Sequence, residues 1–156
     1  MTAEELLKRY AAGERDFTGV DLSGVNLNIA RLSECDSNLN ILNGINLSGA
    51  KLISTNLEFV NLIGADLRSA DLTDAQLLGA DLSNADLRDA IFDNADLSAN
   101  LTDADLRGSS MSGTVMYGGD LTRANLSDVI NFGLSGEDVI FRDTIMSYGT
   151  ITNIPI

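Results

Sequence analysis

Large apolar residues recur at every fifth position along almost the whole chain. The series begins at Phe17 and runs through Leu22 to Leu97, with Ser37 as its interruption. A small or branched apolar residue lies two positions before most of them, and it is Ala seven times in succession from Ala65 to Ala95. After Leu97 the spacing drops by one residue, and the series then fades towards Ile156. The two parts together make 29 five-residue units.

A period of five residues excludes both ordinary secondary structures. Five residues rotate an α-helix by about 500°, so the Leu residues would be scattered around its surface. On a continuous strand an odd period would place successive Leu residues on opposite faces. The remaining solution is a short extended step followed by a turn, repeated in one direction. The Ala and Leu positions then face inward, and successive coils stack about 4.8 Å apart as a β-solenoid.

Runs such as Ala65-Asp66-Leu67-Arg68-Ser69 and Ala80-Asp81-Leu82-Ser83-Asn84 closely resemble the pentapeptide-repeat family from Asp16 onward. The resemblance implies a mainly β fold with four units per coil, a right-handed quadrilateral β-helix. Twenty-nine units would then make about seven coils and a rod about 34 Å long. We expect one domain over 1–156, with a short N-terminal capping α-helix at 3–12, the solenoid at 16–156 and a register slip near 98–101.

Both ends of a solenoid need covering, because they expose apolar core and unpaired backbone groups. At the N-terminus, Thr2 and Glu5 fit a capping box and Gly13 fits a helix stop. One helix face is apolar and is expected to lie over the first coil; it comprises Leu6, Leu7, Tyr10 and Ala11.

The C-terminal segment is apolar and rich in β-branched residues. We expect a second copy of the chain to cover this edge in a homodimer; the edge residues are Ile145, Met146, Tyr148, Ile151, Ile154 and Ile156. The alternative is a monomer whose last residues fold back and whose Pro155 blunts the edge.

Three segments depart from the repeat. At 33–41, Cys35, Ser37 and Asn40 occupy apolar positions, which predicts an irregular side. The slip at 99–101 should shorten a turn. At Asn131 and Gly136 the large residue is missing, so either Phe132 and Leu134 supply the core or the coil loosens into a loop.

Composition excludes several functions. With 23 acidic and 10 basic residues the net charge is −13, which disfavours direct binding to nucleic acid and to anionic membranes. The chain has no His and one Cys, and we interpret Cys35 as a buried small residue. Acid pairs such as Asp71/Asp74 lack a complete calcium loop. We therefore predict no catalytic residue, no cofactor and no metal. Without a signal peptide or a membrane span, the expected location is the cytoplasm.

If residues about 20 apart stack, the surface pattern differs between the four sides. Arg68, Arg88 and Arg107 share a side with Asp66, Asp86 and Asp105, and Arg31 and Lys51 stack on another. The third side is predicted to be mostly acidic, with Asp21, Asp81, Asp103, Asp120 and Asp143. The fourth carries an apolar stripe of Leu39, Phe59 and Leu78, a possible partner surface.

These features favour a non-catalytic interaction or scaffold protein whose protein partner the sequence does not identify. The alternative is an acidic DNA mimic that binds DNA gyrase or a related topoisomerase, as the resemblance implies for some members. About 34 Å of duplex DNA carries roughly 20 charges, against a net 13 here, so the charge density is lower than that of DNA. The large projecting loops of many quinolone-protection members have no evident counterpart.

Overall fold

A four-sided stack of coils makes up most of the molecule. The computed structural model describes residues 1–27, 42–132 and 135–146, together with the backbone of 151–152. Helix α1 (Ala3–Ala11) precedes the stack, and strands β1 (Thr144–Ile145) and β2 (Ile151–Thr152) pair antiparallel at its other end. On each side, one residue per coil forms a parallel bridge to the next coil. The predicted quadrilateral β-helix is confirmed.

The five-residue unit builds one side and one corner. In the unit around Leu67, the Leu67 amide donates to the Asp86 carbonyl of the next coil at 2.8 Å. The Ala70 amide donates back to the Leu67 carbonyl at 3.1 Å, which closes a tight turn. The third residue of that turn, Ser69, has a φ of 55°. We call this position the corner residue; Gly, Asn and Asp predominate there because they adopt positive φ at low cost.

The bridges define four sides by their inward residues, which are all buried. Side 1 carries Phe17, Leu47, Leu67, Leu87, Leu106 and Leu126. Side 2 carries Leu22, Leu52, Leu72, Phe92 and Met111. Side 3 carries Leu27, Leu57, Leu77, Leu97 and Met116. Side 4 carries Leu42, Leu62, Leu82, Leu101, Leu121 and Phe141. Each fully buried Leu contributes about 1.5–3 kcal/mol of hydrophobic free energy, so the core is distributed evenly along the axis.

The number of residues per coil changes at two places. The regular step is 20 residues, as between Asp66 and Asp86. The first coil is 30 residues long, because Asp21 pairs with Lys51. The fourth coil takes 19, because Asp81 pairs with Asn100. The predicted core positions at Leu32 and Ser37, and Cys35 between them, lie outside the described residues.

The ladder of side 1 has seven levels, from Asp16 to Ile145, so the stack comprises six coils and one further level. At strand spacing this corresponds to about 29 Å.

Helix α1 covers the first coil. The Thr2 side chain accepts a hydrogen bond from the Glu5 amide at 3.1 Å, and Leu6 is completely buried. The Tyr10 hydroxyl donates to the Asn43 carbonyl at 3.0 Å, which fastens the helix to side 4. Leu7 is half-buried, whereas Ala11 is exposed, so the predicted apolar face is narrower than expected.

The sixth coil keeps its backbone pairing but has a thinner core. Ile130 pairs with Ser110, and Ser135 pairs with Val115, so the coil does not open into a loop at these levels. The expectation that Phe132 supplies the core is wrong, because 37% of its surface is exposed. Leu134 lies outside the described residues. Gly136 leaves no space for a side chain, since a Cβ there would collide with the Met116 carbonyl.

At the C-terminal edge the chain pairs with itself. Ile145 bridges Asn125 on one side and pairs with Ile151 of β2 on the other. This pairing is the one expected if the last residues fold back. Met146 is half-buried, whereas Tyr148, Ile154 and Ile156 lie outside the described residues. The homodimer through this edge stays a prediction.

Two buried hydroxyls provide a test of the core. Thr114 donates to the Phe92 carbonyl at 2.8 Å, whereas the Ser109 hydroxyl is buried with no hydrogen-bond partner among the described residues. We expect Ser109→Ala to raise the free energy of unfolding by about 1 kcal/mol and Thr114→Val to lower it by a similar amount. Urea denaturation followed by circular dichroism measures both. A loss of stability in Ser109→Ala would contradict the assignment.

Candidate functional site: the four sides of the rod

Side 1 carries a ladder of alternating charges. Its members are Asp66, Arg68, Asp86, Arg88, Asp105 and Arg107. Each Arg Nη2 lies 2.6 Å from the Asp Oδ2 of its own unit. The Nε atoms of Arg68 and Arg88 also approach the Asp of the next coil, at 3.6 and 3.8 Å. The hydrogen bond from Arg107 holds the pKa of Asp105 below its usual range. The three Arg and three Asp charges of this ladder therefore balance, as the sequence predicts, whereas Asp16, Asp89 and Asp128 add negative charge to the same side.

Side 4 is acidic, but less so than predicted. Asp81 and Asp120 belong to its ladder, and Asp103 and Asp143 are its corner residues. Asp103 pairs with Arg123 at 2.6 Å, and this hydrogen bond lowers the pKa of the Asp103 carboxyl.

The placement of Asp21 with this group is wrong. Asp21 bridges Lys51 and so lies on side 2. The error arises because the first coil is 30 residues long, and an offset of ten residues moves a residue by two sides. Arg31, which the sequence places next to Lys51, lies outside the described residues.

Side 3 carries the exposed apolar stripe. Phe59 and Leu78 are 54% and 43% exposed, and they lie on adjacent coils because the Phe59 amide donates to the Leu78 carbonyl at 3.0 Å. The Phe59 ring covers Gly79, whose Cβ position would lie 2.6 Å from it. Tyr117, two coils below Leu78, is 58% exposed. Leu39 lies outside the described residues. We define the side 3 stripe as Phe59, Leu78 and Tyr117.

Sequence reasoning missed Tyr117. The signal was present, since Tyr117 directly follows the core residue Met116, at the position that Leu78 occupies in its unit. Counting 20 residues from Leu78 leads to Ser98 and then to Gly118. The 19-residue step brings Tyr117 onto the line instead.

The shortened unit leaves an open notch at the corner between sides 3 and 4. The Ala99 amide donates to the Leu97 carbonyl at 2.7 Å, so this turn lacks the corner residue. The notch has a volume of about 270 Å³ and is lined by Gly79, Ala80, Asp81, Ser98, Ala99, Asn100, Gly118 and Asp120. The carboxylates of Asp81 and Asp120 stand on its side 4 rim, one coil above and one coil below Asn100.

A second open depression of about 280 Å³ is lined by residues of the charge ladder and its corner, including Arg88, Asp89 and Asp128. Within the described part of the chain, no three metal-ligating side chains are grouped to hold an ion. In the same part of the chain, no helix has the length and apolar character needed to cross a bilayer.

Comparison with known proteins agrees with this architecture. The family model for pentapeptide repeats matches eight copies, at residues 41–68, 65–98 and 90–130. The chain belongs to the pentapeptide-repeat family. No curated protein matches it by sequence.

Three solved structures illustrate the similarity. A pentapeptide-repeat protein from the Arabidopsis thaliana thylakoid lumen is 32% identical, over 77% of this chain and 71% of that one, with a TM-score of 0.44. One from Nostoc PCC 7120 is 30% identical, over 87% and 96%, with a TM-score of 0.48. The plasmid-mediated fluoroquinolone resistance protein QnrB1 is 16% identical, over 86% and 72%, with a TM-score of 0.45. The first relative is a lumenal protein, and cytoplasmic location stays a prediction for this chain.

The charge ladder predicts a dependence of stability on pH. Because the folded pKa of Asp105 is lowered, its pairing stabilises the fold above the unfolded pKa of about 3.9 and is lost as the pH falls through the lower folded value. We expect Arg107→Gln to lose less stability than the wild type between about pH 5 and pH 2. Arg142→Gln, which removes the same charge from an exposed Arg without an ion pair to any described residue, should keep the wild-type profile. Parallel profiles for wild type and Arg107→Gln would contradict the ladder.

Proposed function

We propose that this pentapeptide-repeat protein is a non-catalytic interaction scaffold that binds a partner protein along side 3. The observation that carries the proposal is the side 3 stripe, where three large side chains are between 43% and 58% exposed on a rigid ladder. Aromatic side chains supply much of the free energy of protein interfaces, because they bury a large area with few rotatable bonds.

The pairing of charges on sides 1 and 4 supports this choice. On side 1 the Arg residues are engaged with carboxylates of their own ladder, and on side 4 Arg123 is engaged with Asp103. Such exposed ion pairs contribute little to stability individually, and each neutralises the Arg and the Asp that it joins. With no His in the chain and the Arg and Asp groups paired in this way, turnover of a substrate is not part of the proposal.

The second candidate is the acidic DNA mimic that acts on DNA gyrase. It is favoured by the stacked carboxylates of side 4 and by the net charge of −13. Against it, three of the four sides carry cations among their carboxylates, as with Arg88 on side 1, Lys51 on side 2 and Arg123 on side 4. Duplex DNA presents phosphates around its whole circumference. We therefore expect no change in the supercoiling activity of purified gyrase at a large molar excess of this protein, and inhibition or protection would favour mimicry.

Affinity capture from native extract tests the scaffold. Phe59 has a φ of 59°, a value at which Asn is common, so Phe59→Asn removes the ring at a corner that tolerates the replacement. Ser69→Asn is the matched control, since Ser69 occupies the same corner position on side 1 with a φ of 55°. We expect a protein that is retained by the wild type and by Ser69→Asn and lost with Phe59→Asn.

The other outcomes are distinct. If a specific protein is lost only when Asp81, Asp103, Asp120 and Asp143 are changed to Asn together, the partner binds side 4 and the choice of side 3 is wrong. If no protein is retained specifically by the folded wild type, the scaffold function itself is contradicted.

A further inference from the structure

The notch interrupts the side 3 stripe at its centre. Ser98, the residue that would continue the line from Leu78 to Tyr117, is only 6% exposed, and its hydroxyl accepts a hydrogen bond from the Tyr117 amide at 2.9 Å. The surface at this level is therefore recessed between two exposed apolar side chains. Gly79 and Gly118 form the upper and lower walls, so the recess has no side chain to fill it.

The recess is acidic along one rim. Asp81 Oδ1 accepts hydrogen bonds from the Ser83 amide at 3.0 Å and from Asn100 Nδ2 at 3.1 Å. Asp120 Oδ1 accepts one from the Thr122 amide at 2.8 Å. The Oδ2 atoms of both carboxylates have no hydrogen bond to any described residue. A long cationic side chain lying in the notch at the level of Asn100 would have one carboxylate a coil above it and one a coil below it.

Side 3 as a whole has one sign of charge. In its described part it carries no Lys or Arg, and its acidic residues are Glu58, Asp96, Glu137 and Asp138. An apolar stripe flanked by carboxylates complements a segment that combines apolar anchors with Lys or Arg. It does not suit a second copy of this chain, because two faces of the same negative sign would repel.

The backbone of side 3 excludes an added strand. Its amides and carbonyls already pair between coils, as those of Phe59 and Leu78 do, so no free edge runs along the stripe. The spacing of the coils suits a helix. Phe59 and Tyr117 are three levels apart, about 14 Å, and three helical turns rise about 16 Å. A helix with apolar residues at i, i+3, i+7 and i+10 presents anchors over about 15 Å, which is close to this interval.

From the recess, the rim carboxylates and the charge of the side, we propose that side 3 binds a basic amphipathic helix of a partner protein. The apolar face of the helix packs on Phe59, Leu78 and Tyr117, and one Lys or Arg side chain enters the notch between Asp81 and Asp120. This inference rests on the proposed scaffold function and names the chemistry of its partner. A small-molecule ligand fits less well, because a space of about 270 Å³ open to solvent is smaller than a typical ligand pocket.

Titration with synthetic peptides tests the inference independently of any extract. The probe is a peptide of about 15 residues composed of Leu and Arg, with Leu on one helical face. Two matched peptides accompany it, one with the same composition in scrambled order and one with Glu in place of Arg. Calorimetry at about 0.15 M salt should show binding of the first peptide, and much weaker binding of the other two.

Variants of the protein locate the binding. We expect the double variant Asp81→Asn with Asp120→Asn to lower the affinity for the Leu/Arg peptide about tenfold or more. Tyr117→Ser should lower it by a similar factor. Asn serves at this ladder position elsewhere in the chain, for example at Asn61, so the double variant should fold. Asp21→Asn with Asp71→Asn, which removes equal charge from side 2, should change the affinity less than about twofold.

A third variant tests the notch without changing charge. Gly118 lines the notch, so Gly118→Asn places a side chain there. The fold should accommodate it, because Gly118 has a φ of 61° and no atom lies within 4 Å of its Cβ position. Gly64→Asn, at an equally open corner with a φ of 65°, is the control. Gly118→Asn should weaken binding of the Leu/Arg peptide, and Gly64→Asn should leave its affinity unchanged.

Four outcomes would overturn the inference: equal losses in the side 2 and notch variants, equal binding of the scrambled peptide, no binding by the folded wild type, or a concentration-dependent dimer in sedimentation that Phe59→Asn abolishes. The first two would indicate diffuse attraction between opposite charges. The last would make a second copy the occupant. Any of these results together with a side 3 partner in the capture experiment leaves the scaffold function standing and removes only the helix.

Discussion

The structure depends on the backbone ladder between successive coils. Each core Leu donates its amide to the coil below, and each residue before it donates to the coil above, so the position of every side chain along the rod follows from the number of residues per coil. The ladder also satisfies backbone groups that would be costly to bury. In a globular domain, an insertion moves the residues near it. In this stack, an insertion changes which residues before it share a side of the rod with which residues after it.

Two departures from the 20-residue step therefore shape the surface more than any single residue does. The 30-residue first coil sets the register of Asp16, Asp21 and Asn26 against the rest of the molecule. The 19-residue coil removes one corner residue, and this creates the notch and shifts Tyr117 into line with Leu78. The core residues that flank both departures keep their inward positions, because Leu27, Leu42, Leu97 and Leu101 are all completely buried. The same ladder thus keeps the interior regular and makes the exterior particular to this chain.

The extent to which sequence predicted this structure follows the same division. The period of five identified the core, the turns and the four sides, since the size and polarity of Leu67 or Ala70 require burial wherever the coil passes. The alignment of surface residues was predictable only where the step stays regular, as for Arg68 and Arg88. It failed for Asp21, because the coil length across the first insertion depends on pairing that no local pattern encodes. The slip near 98–101 was visible in the sequence, but the notch was not, because its walls come from Gly79 and Gly118 on other coils.

The backbone at Phe59 adds a further argument for function at side 3. Corner residues adopt positive φ, and at most corners Gly, Asn, Asp or Ser pays little for it. Phe59 has a φ of 59°, which for a bulky side chain costs of the order of 1–2 kcal/mol. Its ring is 54% exposed, so burial within the chain offsets little of that cost. The ring covers Gly79, and Gly79 also lines the notch, so the ring lies next to the recess. A strained, exposed aromatic residue beside a recess bordered by carboxylates is difficult to explain by the stability of the isolated rod. It is explained if the ring gains its burial from a partner that also occupies the recess.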